Sequence, residues 1–220
     1  MRVALDSAAF ERGDLLTSLV AGEGSAVHAW LHSAELNASA SATRNVADML
    51  NLLTLLHGTH PGLVELVAEH NIWPGADAWL KQAVRGFAAE RGNLGALIAA
   101  AGPVPSTPGE ASTVSAVMAQ RQALATIACS DRFGCAVGAV VGLMFDWMPI
   151  RAALETAAAR LSVPFAAPEL PSEEDTFLML AAMPEQPRLE RTLAFGARQV
   201  LVHHECLLDL LSVRAGAREG

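Results

Sequence analysis

Imidazole is the one side chain whose unperturbed pKa lies near neutral pH, and it is also the commonest metal ligand. The seven histidines of this chain are therefore the first place to look for chemistry. His28, His32 and Glu35 recur at i, i+4 and i+7, which would set three ligand types on one helical face. That face lies one residue, about 100°, from the apolar positions Val27, Leu31 and Ala34, so it reads as a boundary or solvent face. His57 continues the apolar stripe Val46, Leu50, Leu53, and His70 continues Leu63 and Val67. In the last helical segment Leu193, Val200 and Leu207 recur every seventh residue. The steps between them are Gly196/Ala197, His203/His204 and Leu210/Leu211, so at least one of His203 and His204 faces inward. An inward histidine is ordinarily a structural imidazole bonded to a backbone carbonyl or a water. The chemical alternative is a shared polar pocket built from His57, His60, His70, His203 and His204.

Metal templates narrow that alternative. Carboxylate-bridged di-iron bundles require Glu-x-x-His on two helices, and zinc proteases require His-Glu-x-x-His. Neither pattern occurs. His57 and His60 are separated by a helix-breaking Gly58, and Glu69 and His70 are adjacent and cannot share a face. The cofactor, if any, is not readable. The three cysteines, Cys129, Cys135 and Cys206, lack Cys-x-x-Cys spacing and read as small buried hydrophobes in a reducing compartment.

Charges set inside apolar segments form a second group of candidates: Arg121, Asp131, Arg132, Asp146 and Arg151. A buried charge is costly unless paired. The expectation is that Asp146 pairs with Arg151 or Arg121 to fix helix packing. The functional alternative is an arginine-lined pocket for an anion, which suits the guanidinium fork. No phosphate-cradling glycine loop, Gly-x-Ser-x-Gly elbow or Ser/His/Asp arrangement is present.

The elements that must position these residues are helical throughout. No stretch alternates apolar and polar residues long enough to predict a strand. Helices are predicted over about 5–20, 25–36, 43–57, 61–71, 74–101, 108–129, 130–161, 173–182 and 188–214. Thr107, Pro108 and Glu110 read as a capping box, Pro149 as a kink or restart, and Ser172 as a cap. Gly134, Gly138 and Gly142 recur every fourth residue and predict a close backbone contact with another helix. The fold expected is all-α: a single-domain bundle of seven to nine helices over 1–220, with a buried glycine-ridged central helix and an optional subdivision at the 102–110 loop.

Composition bounds the partners. The chain has 220 residues, 52% of them hydrophobic and 17% charged, so it is not a disordered sequence. Its 15 basic against 23 acidic residues, net −8, leave no excess to neutralise phosphates, and no nucleic-acid partner is expected. The N-terminal apolar run stops at Asp6, too soon for a secretory segment. The longest apolar run, Phe133 to Phe145, falls short of the about 20 residues a membrane span needs. A soluble, cytoplasmic protein with no membrane partner is expected.

The words LHGTHPG (56–62), PSTPGE (105–110), QRQAL (120–124), SDRFGCAVGA (130–139) and DWMPIR (146–151) resemble those of an uncharacterised bacterial all-α family. The pattern of helix lengths is also similar to ferritin-like and haem-oxygenase-like up-down bundles, whose ligand motifs are missing here. The resemblance implies a fold class and no activity. Two function classes follow from the residues. One is a non-enzymatic module, as a homodimer, binding a small molecule or a protein partner. The other is a metal- or cofactor-dependent oxidoreductase with a histidine-lined pocket inside the bundle.

Overall fold

The computed structural model describes residues 2–103 and 106–218, with side chains from Glu11 onward. Among these residues there are nine α-helices and no strand: α1 (Arg2–Glu23), α2 (Ala34–Asn37), α3 (Ala42–His57), α4 (Leu63–Glu69), α5 (Asp77–Ala101), α6 (Glu110–Ala128), α7 (Cys135–Leu161), α8 (Glu173–Ala182) and α9 (Leu189–Gly216). One apolar core runs from Leu16 of α1 to Leu211 of α9 and includes side chains on both sides of the 102–110 segment. Residues 104 and 105 of that segment lie outside the described residues.

The axis of the bundle is α7, as the glycine pattern predicts. Its partner is α9, and the register follows from what a methyl group on each glycine would meet. On Gly134 it would lie 2.7 Å from a Leu189 methyl, on Gly138 2.7 Å from Leu193 Cα, and on Gly142 2.8 Å from Ala197 Cα. The contacts advance together along both chains, so α7 and α9 run parallel with their N-termini side by side. Gly196 of α9 returns the contact: a methyl there would overlap the Cys135 carbonyl and sit 2.9 Å from Ala139 N. Glycine in mid-helix costs up to about 1 kcal/mol relative to alanine, and backbone-to-backbone packing offsets it here. Gly134 also caps α7 at φ +85°, a conformation that favours glycine.

Several local expectations are corrected. Residues 25–36 are not one helix but two 3-10 turns, Ser25–Val27 and Ala29–His32, followed by α2. The His28 side chain accepts from Trp30 N and the Ser33 side chain accepts from Leu36 N, so each starts a new short element. Val27 is exposed as a result. Helix α6 starts at Glu110 behind a Gly109 cap at φ +78°, not at Pro108, and no capping box forms. Helix α4 begins at Leu63 behind Gly62, not at Pro61. Helix α7 passes through Pro149 without a break. The missing bond costs about 3 kcal/mol in isolation. The buried Trp147, Ile150 and Leu154 around it hold the helix on course. The long α7 alone is apolar and long enough among the described residues to cross a membrane, and 72% of its most apolar window is buried inside the fold.

Two glycine substitutions should diverge. Gly138→Ala forces a methyl into the Leu193 backbone and should cost about 2–3 kcal/mol. Gly95→Ala, in α5 with nothing within 4 Å, should gain about 0.5–1 kcal/mol from helix propensity. Urea denaturation of both variants checks this, and equal behaviour of the two would refute the parallel α7–α9 contact.

Candidate functional site

Asp146 is completely buried in α7 and accepts three hydrogen bonds. Ser25 N donates to Oδ1 at 2.6 Å, Ser25 Oγ donates to Oδ2 at 2.7 Å, and His204 Nδ1 donates to Oδ2 at 2.6 Å. The other nitrogen of His204, Nε2, lies 2.8 Å from His57 Nε2. Four side chains far apart in sequence thus form one buried line: Ser25, Asp146, His204, His57. A carboxylate can only accept, so His204 Nδ1 carries a proton. One proton then lies between the two Nε2 atoms.

Each member is placed by its own element. Asp146 projects from the middle of α7, fixed by the parallel packing. His204 stands on the inward face of α9 and His57 ends α3. Ser25 opens the first 3-10 turn, and Gly24 before it is necessary, because a methyl there would overlap Asp146 Oδ1. Aromatic rings enclose His57 edge-on, Phe87 at 5.9 Å and Trp147 at 5.7 Å between centroids. Trp147 Nε1 donates to Glu90 Oε2 at 3.0 Å, and Arg151 Nε donates to Glu90 Oε1 at 3.0 Å. A second buried carboxylate thereby holds the ring that holds His57.

The surroundings set the charges. Burial, then the neighbouring His204 and Arg91, push the His57 imidazole well below the ordinary histidine value, so it is uncharged at neutral pH. Burial works against the Asp146 carboxylate, but the bonds from His204 and Ser25 outweigh it and hold it below the usual aspartate range. Burial, followed by His204, also lowers His203, which faces the half-buried side of α9.

His57 also lines a cleft of about 270 Å³ between α4 and α6, with Thr59, Arg121 and Gln122 as its polar members and Leu63, Leu66 and Leu124 among the apolar ones. Arg121 is half-buried, and among the described residues it forms no ion pair and His57 Nδ1 has no hydrogen-bond partner. At the other end of the line Ser25 borders a cleft of about 370 Å³, with Glu23, His28 and Glu205.

The sequence candidates are redistributed. His57 and His204 come together, as the expected approach of His57 to a last-helix histidine requires, and they bond to each other and to Asp146, not each to its own backbone carbonyl as the structural reading expects. His60 and His70 are exposed, and His70 Nδ1 turns to Leu66 O instead of the core. His28 pairs with Asp209, and His32 meets Ala26 O, so no face collects His28, His32 and Glu35. Asp146 pairs with neither arginine: Arg151 is taken by Glu90, Glu155 and the Ala166 carbonyl, and Arg121 stays in the cleft. Asp131 and Arg132 are exposed ahead of α7. Of the cysteines only Cys135 is buried; Cys129 and Cys206 are exposed. Sequence reading missed Ser25 and Glu90; the signal for Ser25 is a glycine–serine pair interrupting a helical pattern.

The two Nε2 atoms stand at hydrogen-bond distance, closer than two nitrogens sharing one ion at bonds of about 2.0 Å. No group of three or more His, Cys, Asp or Glu is placed to hold a metal among the described residues.

Asp146→Ala should cost about 3–5 kcal/mol, since it strands two donors of Ser25 and one of His204 in the core. The pH dependence has a definite sign. His57 is harder to protonate folded than unfolded, so the unfolded chain binds more protons and stability falls as pH drops below about 6.5. Asp146 stays ionised through that window, because its own loss comes only at lower pH. Urea midpoints at pH 7.5 and 5.5 should show the fall in the wild type and a smaller one in His57→Gln. A wild-type midpoint that does not change would overturn the neutral-imidazole assignment.

No curated protein matches the chain, and no solved structure matches it. A family of unknown function, DUF6975, matches residues 20–219. The match takes in every member of the buried line and helices α2 to α9, with only the last residues of α1, and by it this chain belongs to the DUF6975 family.

Proposed function

We propose that this protein is a small-molecule-binding bundle that acts on its ligand by acid–base chemistry at His57. One observation carries the reading. His57 lines a cleft with a partnerless Nδ1, while its Nε2 is tied to a buried imidazole–carboxylate pair.

The chemistry follows from the proton count. An uncharged imidazole has a lone pair free to accept a proton at neutral pH, but burial makes it a weak base on its own, and the relay offsets this. When Nδ1 takes a proton from the ligand, the proton on Nε2 passes to His204 Nε2. The positive charge then rests on His204, against the Asp146 carboxylate, and Ser25 keeps that carboxylate oriented. Without the relay the charge would stay on a ring enclosed by Phe87 and Trp147, where burial opposes it. Arg121 in the same cleft suits an anionic group on the ligand.

The reading treats 1–220 as one unit, supported by the core that crosses the 102–110 segment. A soluble, cytoplasmic protein of bacterial origin fits it, with the acidic net charge arguing against a nucleic-acid partner. Self-association as a homodimer is compatible with it. An oxidoreductase using a bound metal is less favoured, because the histidines that meet are bonded to each other.

Nitrogen-15 spectra of histidine-labelled protein test the proposal. At pH 7 His57 Nδ1 should be unprotonated and should shift on titration with acetate, malonate or inorganic phosphate. Arg121→Gln should weaken the response at least about ten-fold. A protonated Nδ1, or an affinity that Arg121→Gln leaves intact, would remove the basis for the reading.

A further inference from the structure

A third cleft, independent of the buried Ser25–His57 line, lies where α7 and α9 begin. It measures about 640 Å³, within the range of small-molecule sites. Arg132 and Phe133 form one wall, and Arg188, Arg191 and Phe195 the other. Thr192 Oγ1 donates to the Phe133 carbonyl at 2.7 Å and joins the two walls.

The charge of this cleft is unusual for the chain. The protein carries −8, yet all three charged residues lining the cleft are arginines. All three are exposed, and none forms an ion pair among the described residues. The nearby acids do not cancel them. Glu185 and Glu190 line an adjoining cleft of about 240 Å³ with Arg12, Arg188 and Arg191, Glu185 lies 3.9 Å from Arg12, and no acid lines the larger cleft itself.

Helix electrostatics make the arrangement costlier. The parallel packing puts the N-termini of α7 and α9 together, and neither has a side-chain cap. A helix N-terminus favours anions, so three arginines there stand on the wrong end of two dipoles. Arg188 is itself the cap of α9, held at φ +73°, where a non-glycine residue is strained. Guanidinium groups, two helix ends and two phenylalanines converge on one requirement: a negative charge attached to an apolar ring.

We propose that this cleft is a ligand site for a phosphorylated small molecule that carries a planar apolar group. Arg132, Arg188 and Arg191 take the phosphoryl oxygens, and Phe133 and Phe195 pack against the ring.

Isothermal titration calorimetry at constant ionic strength tests this with three probes: phenyl phosphate, inorganic phosphate and phenol. Phenyl phosphate should bind at least about ten-fold more tightly than inorganic phosphate, and phenol should not bind. The double variant Arg188→Gln/Arg191→Gln should lose at least about ten-fold in phenyl phosphate affinity. Phe195→Ser should bring phenyl phosphate down to the level of inorganic phosphate. These side chains are exposed, so unchanged thermal unfolding is expected and serves as the control. The titrations are run in the Arg121→Gln background, which disables the anion cleft beside His57, so that the heat reports this cleft alone and a failure here is distinct from a failure of the relay reading. Equal binding of the two phosphates, binding of phenol, or full affinity in the double variant would each overturn the proposal.

Discussion

The Asp146 carboxylate is the constraint on which the interior is built. It has no access to water, and it is ionised, so every oxygen must find a donor inside the protein. Ser25 and His204 supply three, and each brings its own segment with it. The loop after α1 is drawn down onto α7 through Ser25. Helix α9 is held in rotation by His204, and the end of α3 follows through His57. Remove the carboxylate and these segments lose the polar reason for meeting where they do.

Around this line the other buried acids repeat one arrangement. Glu90 is held between Trp147 and Arg151, Glu65 between the Gly62 N–H and Arg91, and Asp48 between Arg214 and Arg218. Each of those three has an arginine, as a buried carboxylate normally must. Asp146 alone among them faces a histidine, and through it a second histidine. Arginine stays charged at any physiological pH, whereas imidazole can gain or lose a proton. The three arginine-paired acids are therefore fixed structure, and the fourth is able to respond.

Much of this architecture was legible in the residues. The stripes that end in His57 and pass through His204 were read correctly as inward, and so was the glycine ridge of α7. Helices α3, α8 and α9 matched their predicted spans to within a few residues, because caps and periodicity agree there. What failed has physical reasons. Residues 25–36 mimic a helical stripe, but His28 and Ser33 bond to nearby backbone N–H groups and stop the helix from propagating. Pro149 looked like a break, and packing overruled it. The pairing of Asp146 with Arg151 failed on geometry already available: five residues on a helix turn the side chain about 140° away, so the two address different neighbours. The glycine–serine pair marks Ser25 as a break in the helical pattern, but its pairing with Asp146 spans 121 positions and leaves no periodic trace.

The parallel pairing of α7 with α9 has a consequence for biosynthesis. Antiparallel neighbours can close as soon as a short turn has emerged. Here α7, the most apolar helix, must wait while the chain travels back along its whole length through residues 162–188. The glycine ridge therefore leaves the ribosome without its partner, and Asp146 with its Ser25 donors alone, before His204 is made. At roughly 5–20 residues per second the uncovered interval lasts on the order of several seconds. For that time the ridge face of α7, which packs backbone-close on α9 in the finished fold, stays open to water.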